Sequence, residues 1–191
     1  MIFATPSQRN TTVTPPSRHR RRHRRTHSMN AALETETPIR RARLDDVDGI
    51  HDLLKHFSDR EALLPRSKSD LYASLREFSV VEERGVIVAC GALQIFTGEL
   101  GEVRSLAVAP ARGRDGLGRR LVHRIEQDAR GIGLRRLMAL TYAVGFFHKL
   151  GFRTVAMREL PEKVWGVCIN CPKFLHCDET AVLKQLSPPQ P

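Results

Sequence analysis

No stretch of this chain is apolar enough to cross a membrane. A membrane-spanning helix needs roughly 20 consecutive apolar residues, and the longest apolar run here, Val86–Leu93, has eight. The first 28 residues also lack the apolar core of a secretory signal peptide. With 41% hydrophobic and 27% charged residues, the composition is typical of a soluble globular protein. We therefore expect a cytoplasmic location and no membrane partner.

The same first 28 residues contain no lysine and no acidic residue. They carry +7 of the formal net charge of +10, so that residues 29–191 carry only +3. Because no apolar face repeats along this segment, we expect a disordered tail at residues 1–38, a domain at 39–187 and a short tail at 188–191. The positive charge comes from seven arginines: Arg9, Arg18, Arg20, Arg21, Arg22, Arg24 and Arg25.

Three interpretations of the arginine-rich tail remain open. It binds nucleic acid or another polyanion, it is an organellar transit peptide, or it lies upstream of a true start at Met29. Nucleic acid is therefore expected as a partner only through this tail, if at all.

The residues from Ser105 to Leu121 have the pattern of a strand, a glycine-rich loop and a helix. An apolar run at 106–108 leads into Pro110, and a helical pattern begins near Leu117. Backbone N–H groups of such a loop and the positive end of the helix dipole converge on one point. The pattern predicts a binding site for a phosphate or pyrophosphate. Three glycines and four arginines supply it: Gly113, Gly116, Gly118, Arg112, Arg114, Arg119 and Arg120.

Two common nucleotide-binding motifs do not fit this loop. It lacks the Lys-Ser/Thr ending of a nucleoside-triphosphate loop, and its spacing G-x-x-G-x-G differs from the dinucleotide fingerprint. The loop resembles instead the acetyl-CoA loop of the GNAT superfamily of N-acetyltransferases, usually Arg/Gln-x-x-Gly-x-Gly/Ala. Gly116 and Gly118 match that pattern, whereas Gly113 stands where the family has Arg or Gln.

The resemblance implies acetyl-CoA as co-substrate and no required metal. It also implies contacts to acetyl-CoA from the strand, from the loop with the start of the helix, and from an aromatic residue further along. These residues are Leu106, Ala107, Val108, Gly113, Arg114, Gly116, Leu117, Gly118, Arg119 and Phe147.

The order of the predicted elements supports the same resemblance. Apolar periodicity predicts β-α-α-β-β-β-α-β-α-β-β between Ile39 and Leu186, which is the order of the GNAT fold. The segment Phe146–Phe152 resembles a second mark of the family, an aromatic residue followed by Gly-Phe at the end of a short helix. We therefore predict an α/β fold with a central twisted mixed sheet flanked by helices. Strands are expected at 39–43, 79–82, 86–96, 102–109, 134–141, 152–157 and 181–186.

Further segments resemble the acetyltransferase domain of the N-acetylglutamate synthase family in its short, single-domain form. They are Arg66-Ser67, Cys90–Leu93, Leu140-Thr141 and Leu160–Glu162. The resemblance implies an amino-acid N-acetyltransferase that acetylates the α-amine of L-glutamate, the first step of arginine biosynthesis. Because glutamate carries two carboxylates, its pocket needs several cations, and arginine suits that role. The candidates for substrate binding are Arg40, Arg41, Arg66, Ser67, Arg104 and Lys173.

Direct acetyl transfer needs a donor to the oxyanion and a base for the amine. A backbone N–H of Leu106 or Val108 is the expected oxyanion donor. Glu102 is the first choice for a base that acts through water, and Glu99 is the second. Regular alternation along the strand would place Arg104 on the same face as Glu102 and Leu106.

The acid that protonates the leaving thiolate is harder to assign. The fold's usual tyrosine falls at Phe147, which has no proton to give, so Tyr142 is the substitute. The alternatives are a GNAT enzyme for another small amine, amino acid or protein amine, and a polyanion-binding protein that uses the tail. The expected partner is a small-molecule substrate, and a homodimer is one expectation for the assembly.

The segment 168–177 carries thiols and an imidazole with part of a zinc-site pattern. Cys168 and Cys171 have metal-ligand spacing, but His176 and Cys177 are adjacent, which strains a shared chelate. Reduced structural cysteines, a zinc site and a redox pair are the three interpretations that remain open, and we expect no metal at the catalytic site.

Overall fold

Seven strands form the central sheet of the computed structural model, which describes residues 37–171 and 173–186. They are β1 (Ile39–Arg41), β2 (Phe78–Glu83), β3 (Val86–Ile95), β4 (Leu100–Val108), β5 (Arg136–Thr141), β6 (Arg153–Thr154) and β7 (Thr180–Gln185). Their order across the sheet is β1-β2-β3-β4-β5-β7-β6. All neighbours are antiparallel except β4 and β5, which are parallel. The predicted mixed sheet is therefore confirmed.

Helices connect and cover these strands. They are α1 (Val47–Ser58), α2 (Lys68–Ala73), α3 (Leu117–Gly131), α4 (Val144–His148) and α5 (Pro161–Gly166). The Ser67 side chain accepts a hydrogen bond from the Asp70 N–H and so caps α2. Short 3-10 helices occupy Leu44–Asp46, Leu75–Glu77, Pro110–Arg112, Met157–Glu159, Cys168–Asn170 and Phe174–His176.

The core has two layers because helices pack on both faces of the sheet. Ala92 and Leu93, which are consecutive in β3 and therefore point to opposite faces, belong to different clusters. On the Ala92 face, the apolar side of α1 is buried against β2, β3 and β4; its members there are Val47, Ile50, Leu53 and Leu54. On the Leu93 face, α3 packs with the sheet and α4 through Val122, Ile125, Ala129 and Phe147.

The hairpin between β2 and β3 turns at Arg84 and Gly85. Arg84 (φ 51°) and Gly85 (φ 80°) both have positive φ, as a two-residue turn of type I′ requires. A Cβ added to Gly85 would meet only open space, so the positive φ, rather than crowding, accounts for glycine there.

The C-terminal third departs most from the predicted elements. The strand expected at 152–157 is only Arg153–Thr154, because the chain turns into the 3-10 helix Met157–Glu159. Helix α5 was not expected from the sequence, because its six residues are too few to show a helical apolar period.

The predicted arginine-rich tail up to residue 36 and the last five residues lie outside the described residues. Those expectations therefore stay predictions. Within the described part of the chain, none of the helices has the length and apolar character to cross a membrane.

Candidate active site

A bulge interrupts β4 in the middle of the sheet. Ala92 of β3 pairs with Arg104, but Cys90 pairs with Ala107, so that two residues of β4 oppose the single residue Gly91. One of these two, Ser105, has a φ of 52°, a left-handed conformation that costs a non-glycine residue about 1 kcal/mol or more. Strained backbone in a bulge concentrates at functional positions.

The bulge changes which face of the sheet each side chain occupies. Arg104 and Glu102 pair with Ala92 and Gln94 and share their face. Leu106 lies on the opposite face, because a Cβ added to Gly91 would lie 3.1 Å from Leu106 Cδ1 and 3.2 Å from Ile125 Cδ1 of α3. The expectation that Arg104, Glu102 and Leu106 share one face is therefore wrong for Leu106, because the strand is not regular.

The pairing of β4 with β5 ends before the bulge is reached. They pair only where Leu100–Glu102 meets Arg136–Met138. The later residues of β4 have no partner on that side among the described strands, and their backbone groups are open to an extended ligand. Leu106, Ala107 and Val108, the predicted contacts, lie in this open part.

The glycine-rich loop ends at the N-terminus of α3. Gly116 is the N-cap residue before α3 and has a φ of 74°, a backbone conformation that favours glycine. The N–H groups of Leu117, Gly118 and Arg119 are in the first turn and lack helical acceptors. A Cβ added to Gly118 would lie 3.5 Å from Phe146 and 3.6 Å from Val108, so the helix starts directly beside the end of β4.

The arginines around this loop differ in their partners. Arg112 donates to Glu83 and to Asp115, so much of its charge is already balanced. Arg120 Nη2 donates to the Thr37 carbonyl at 2.7 Å, and exposed Arg114 has contacts of its own. The exposed Arg119 guanidinium lies over the loop, since its Nη2 would be 3.6 Å from a Cβ on Gly116.

The predicted contact from Phe147 takes a different place. Its ring is 4% exposed and belongs to the core, where it makes edge contacts with Phe146 and Phe152. A ring buried in this way is not offered to a ligand. The preceding Phe146 is half-buried beside Gly118 and is the aromatic side chain at the loop.

A second group of charges lies on the α2 side of the bulge. Arg66 donates to Ser105 Oγ at 3.4 Å and to Ser74 Oγ at 2.9 Å. Burial lowers the pKa of its guanidinium, and the nearby charge of Arg104 lowers it further. Burial also raises the pKa of the Glu77 carboxyl, although Arg104 and Arg66 oppose that shift. Two predicted cations thus lie together in a partly desolvated place.

Glu102 joins this group from the other side. Its Oε2 accepts a hydrogen bond from Lys163 Nζ at 2.8 Å, and both side chains are buried. Glu179 is half-buried close by, and burial followed by the charge of Glu102 raises the pKa of its carboxyl. The sequence resemblance singled out neither Lys163 nor Glu179, because only the fold brings α5 and the start of β7 to β4.

Tyr142 and Lys173 meet at the exposed end of β5. The Tyr142 hydroxyl donates to Asp178 Oδ1 at 2.6 Å, and Lys173 Nζ lies 3.3 Å from that hydroxyl. The bond to Asp178 raises the pKa of Tyr142. Two residues with different predicted roles, acid and substrate ligand, therefore form one contact group.

Arg40 and Arg41 lie on the edge strand, away from these charges. Three strand spacings separate β1 from β4, about 14 Å. Arg40 is held by Asp46 and Glu82, which raise its pKa. Arg41 lies 3.0 Å from Asp128 and borders a separate surface pocket of about 580 Å³. The structure therefore does not bring either predicted ligand to the Arg66 group.

Ser67, a predicted substrate ligand, and Glu99, the second-choice base, do not take those roles in the structure. Ser67 hydroxyl donates to Asp70 Oδ2 at 2.7 Å and accepts from the Asp70 N–H at 3.1 Å, so capping engages it fully. Glu99 is exposed at the start of β4, six residues from Ser105 and hence about 20 Å along the strand. The second-choice base is therefore at the wrong end of β4.

The cysteines are free thiols in the described residues. Cys168 is buried, Cys171 is half-buried and Cys177 is exposed. No group of three His, Cys, Asp or Glu side chains within residues 37–171 and 173–186 is arranged to hold a metal ion. At the bulge, burial raises the pKa of Cys90 to about 12, and its Sγ lies 3.6 Å from the Ser105 carbonyl oxygen.

The part of β4 that has no strand partner on its β5 side thus has the glycine-rich loop and the start of α3 at one end and the Arg66 group at the other. The model of the acetyltransferase (GNAT) family matches residues 47–152. The chain belongs to this family, as the sequence resemblance predicts.

Two relatives by sequence differ in length. An uncharacterised N-acetyltransferase of Chlorobaculum tepidum is 34% identical over 151 residues, covering 79% of this chain and 97% of that protein. The amino-acid acetyltransferase of Pseudomonas aeruginosa is 37% identical over 132 residues, covering 68% of this chain and 31% of that protein. This chain thus spans less than a third of the length of the Pseudomonas protein.

Two solved structures share the fold at more than 30% identity. Rv2747 from Mycobacterium tuberculosis, in complex with CoA and NLQ, has a TM-score of 0.67 and 31% identity over 78% of this chain and 99% of that one. N-acetylglutamate synthase from Neisseria gonorrhoeae, complexed with coenzyme A and N-acetyl-glutamate, has a TM-score of 0.72 and 33% identity. That match covers 78% of this chain and 35% of the Neisseria chain.

Proposed function

We propose that this acetyltransferase moves the acetyl group of acetyl-CoA to the α-amine of L-glutamate and so supplies the first step of arginine biosynthesis. The observation that carries the proposal is the position of two arginines beside the bulge of β4: Arg66 donates to Ser105 Oγ, and Arg104 is the residue before Ser105 in the same strand. Two guanidiniums in a partly buried place favour a ligand with carboxylates. The names of the Pseudomonas and Neisseria proteins support the same acceptor.

Acetyl-CoA fits the cleft and the loop together. Its pyrophosphate would bind the first N–H groups of α3, where Gly116 leaves room for it and Arg114 and Arg119 add positive charge. Its pantetheine chain would run along the open edge at 106–108 and accept or donate backbone hydrogen bonds there. The thioester would then lie near the bulge, between the loop and the Arg66 group.

The reaction requires one bond to form and one to break. The neutral amine nitrogen attacks the thioester carbonyl carbon, and a backbone N–H of Leu106 or Val108 stabilises the oxyanion. The carbon–sulfur bond then breaks, so the products are N-acetylglutamate and free CoA. The proton lost by the amine passes through water to Glu102, and the thiolate takes a proton from Tyr142 or from solvent.

The contacts of Tyr142 set a limit on its role. A hydroxyl that already donates to Asp178, and whose pKa is raised by it, is a weak acid. Tyr142→Phe should therefore lower kcat by a small factor if solvent protonates the thiolate, and by about 10²-fold or more if Tyr142 does so. The two outcomes decide whether Tyr142 is a catalytic residue.

The deciding experiment is an assay of thiol release from acetyl-CoA across the amino acids, spermidine and a lysine peptide. Glutamate should give the highest kcat/KM, and mass spectrometry of the product should show acetylation of its α-amine. Transfer to spermidine or to the lysine peptide, with glutamate inert, would overturn the proposed acceptor while leaving the acetyltransferase intact.

A further inference from the structure

Lys163 and Glu102 form a buried ion pair between α5 and β4. Lys163 Nζ lies 2.8 Å from Glu102 Oε2, and the side chains are 6% and 5% exposed. The same ammonium lies 5.1 Å from the centre of the Phe96 ring. These contacts cross 61 positions of sequence, so they exist only because α5 folds back over the sheet.

Such a pair needs a reason beyond stability. Burying two ions costs several kcal/mol, and two apolar residues of similar size often serve a fold equally well. An apolar contact that needs no charge holds α5 in place: Leu160, the residue before α5, is fully buried in a cluster with Leu100, Met138 and Leu183 of the sheet. The charges themselves are therefore the feature to explain.

The surroundings of Glu102 contain charges of both signs. Carboxyls nearby favour its protonated form, whereas cations favour the carboxylate. Lys163 donates a hydrogen bond to Glu102. The charge of Glu102 in turn raises the pKa of groups on several other elements. The groups that face it are Lys163 on α5, Arg66 before α2, Glu77 after α2, Cys168 after α5, Glu179 before β7 and Arg104 on its own strand.

The two oxygens of this carboxylate have different surroundings. Oε2 is held by Lys163, while Oε1 has no hydrogen-bond partner among residues 37–171 and 173–186. The buried side-chain oxygens without partners in that part of the chain are Ser79 Oγ and Glu162 Oε2. Glu102 Oε1 is not among them, so it reaches space that solvent can enter.

We infer that Lys163 is a positioning residue for acetyl transfer, whose ammonium holds Oε2 so that Glu102 stays ionised with Oε1 open to the water that receives the amine proton. The inference rests on the proposed function, because it assumes that Glu102 is the base. Lys163 itself touches neither substrate nor the reacting atoms in this role.

The pH dependence of kcat/KM tests the inference in Lys163→Met and Lys163→Gln. The glutamine is the safer variant for folding, because its amide can still donate to Oε2 without carrying a charge. Both substitutions remove the cation that is bonded to Oε2 of Glu102. In wild type, kcat/KM should fall at low pH, and we call this fall the acid limb; Glu102→Gln should abolish it. In both Lys163 variants the acid limb should move up by about one pH unit or more. At a pH below both limbs, kcat/KM should fall about tenfold or more, whereas well above both limbs it should change little.

Three variants separate this role from a purely structural one. Lys163→Arg keeps a cation and should return the limb to its wild-type pH. Lys55→Met also replaces a lysine, but one in an exposed ion pair with Asp59. It should change neither the acid limb nor the value of kcat/KM. In a Glu102→Gln background, Lys163→Gln should cost less than twofold in kcat/KM, because no carboxylate is left to hold.

The inference is overturned if the acid limb of kcat/KM stays at its wild-type pH in both Lys163→Met and Lys163→Gln while calorimetry shows normal acetyl-CoA binding. The proposed function would still stand in that case. If glutamate proves inert and another amine is acetylated, the same profiles with that amine decide the role of Lys163. The inference is also overturned if Lys163→Gln lowers kcat/KM by the same factor in the Glu102→Gln background and in the wild type, because Lys163 would then act independently of Glu102.

Discussion

The guanidinium of Arg66 lies 3.4 Å from the hydroxyl of Ser105, the residue with left-handed backbone at the bulge of β4. This contact joins the start of α2 to the point where β4 and β5 separate. Because Ser74 also accepts from Arg66 at 2.9 Å, the guanidinium is oriented before any ligand binds. A preoriented cation at the splayed strands is what an anionic acceptor needs.

Arg66→Ala should raise the KM for glutamate about tenfold or more, which is about 1.4 kcal/mol for one lost charge-assisted contact. Acetyl-CoA binding, measured by calorimetry, should change little, because the loop at Gly116 is untouched. Arg76→Ala is the matched control, since Arg76 is exposed on the next short helix. An unchanged KM in Arg66→Ala would remove Arg66 from the acceptor site.

Gly116→Glu should lower the affinity for acetyl-CoA at least tenfold. A side chain at φ 74° is strained, by about 1–2 kcal/mol, and the carboxylate would repel the pyrophosphate at the start of α3. Gly131→Ala is the control, because Gly131 lies in the same helix with open space around it. Calorimetry that finds wild-type affinity in Gly116→Glu would show that the phosphates bind elsewhere.

Asp46→Asn should destabilise the fold by about 2 kcal/mol at pH 7, because a buried carboxylate loses charge-assisted bonds. Arg40 donates to both carboxylate oxygens at 2.6 and 2.8 Å and lowers the pKa of Asp46 below 3.8. A lowered folded-state pKa stabilises the fold above the unfolded pKa, and this stabilisation is lost as the pH falls through the folded value.

Urea unfolding from pH 7 down to pH 2 measures this effect. The difference in free energy of unfolding between wild type and Asp46→Asn should be constant near neutral pH and should narrow below about pH 4. Asp59→Asn, which breaks the exposed pair with Lys55, should cost no more than about 0.5 kcal/mol. A difference in free energy of unfolding that widens in acid would contradict the conclusion that ionised Asp46 stabilises the fold through Arg40.

Deletion of residues 1–28 should leave the melting temperature and the turnover of the domain unchanged. These residues have no repeating apolar face and so can bury little apolar area, whereas Thr37 contacts the domain: its carbonyl accepts from Arg120 and its hydroxyl donates to Glu83 at 3.0 Å. Retention on RNA or DNA that depends on salt and disappears with the deletion, together with a failure to acetylate any amine, would favour the polyanion-binding alternative.

Local patterns were enough to predict the framework. The strand–loop–helix unit around Gly116, the Gly-Phe pair at Gly151-Phe152 and the cap at Ser67 depend on neighbours in sequence. Their order predicted the family and the mixed sheet, and both are confirmed. Arg66 and Arg104 were also predicted from charge and resemblance, and the structure brings them together.

The tertiary structure decided the arrangement within that framework. The bulge at Ser105 turned Leu106 to the α3 face, and core packing took Phe147 away from the loop and left Phe146 beside it. Asp46 and Glu82 engaged Arg40 at the sheet edge. The sequence by itself determined the class of protein and its glycine-rich loop, because periodicity and glycine chemistry act over a few residues. Strand register and long-range pairing, such as Lys163 with Glu102, arise only when distant segments pack, and they decided which charged groups meet at the site.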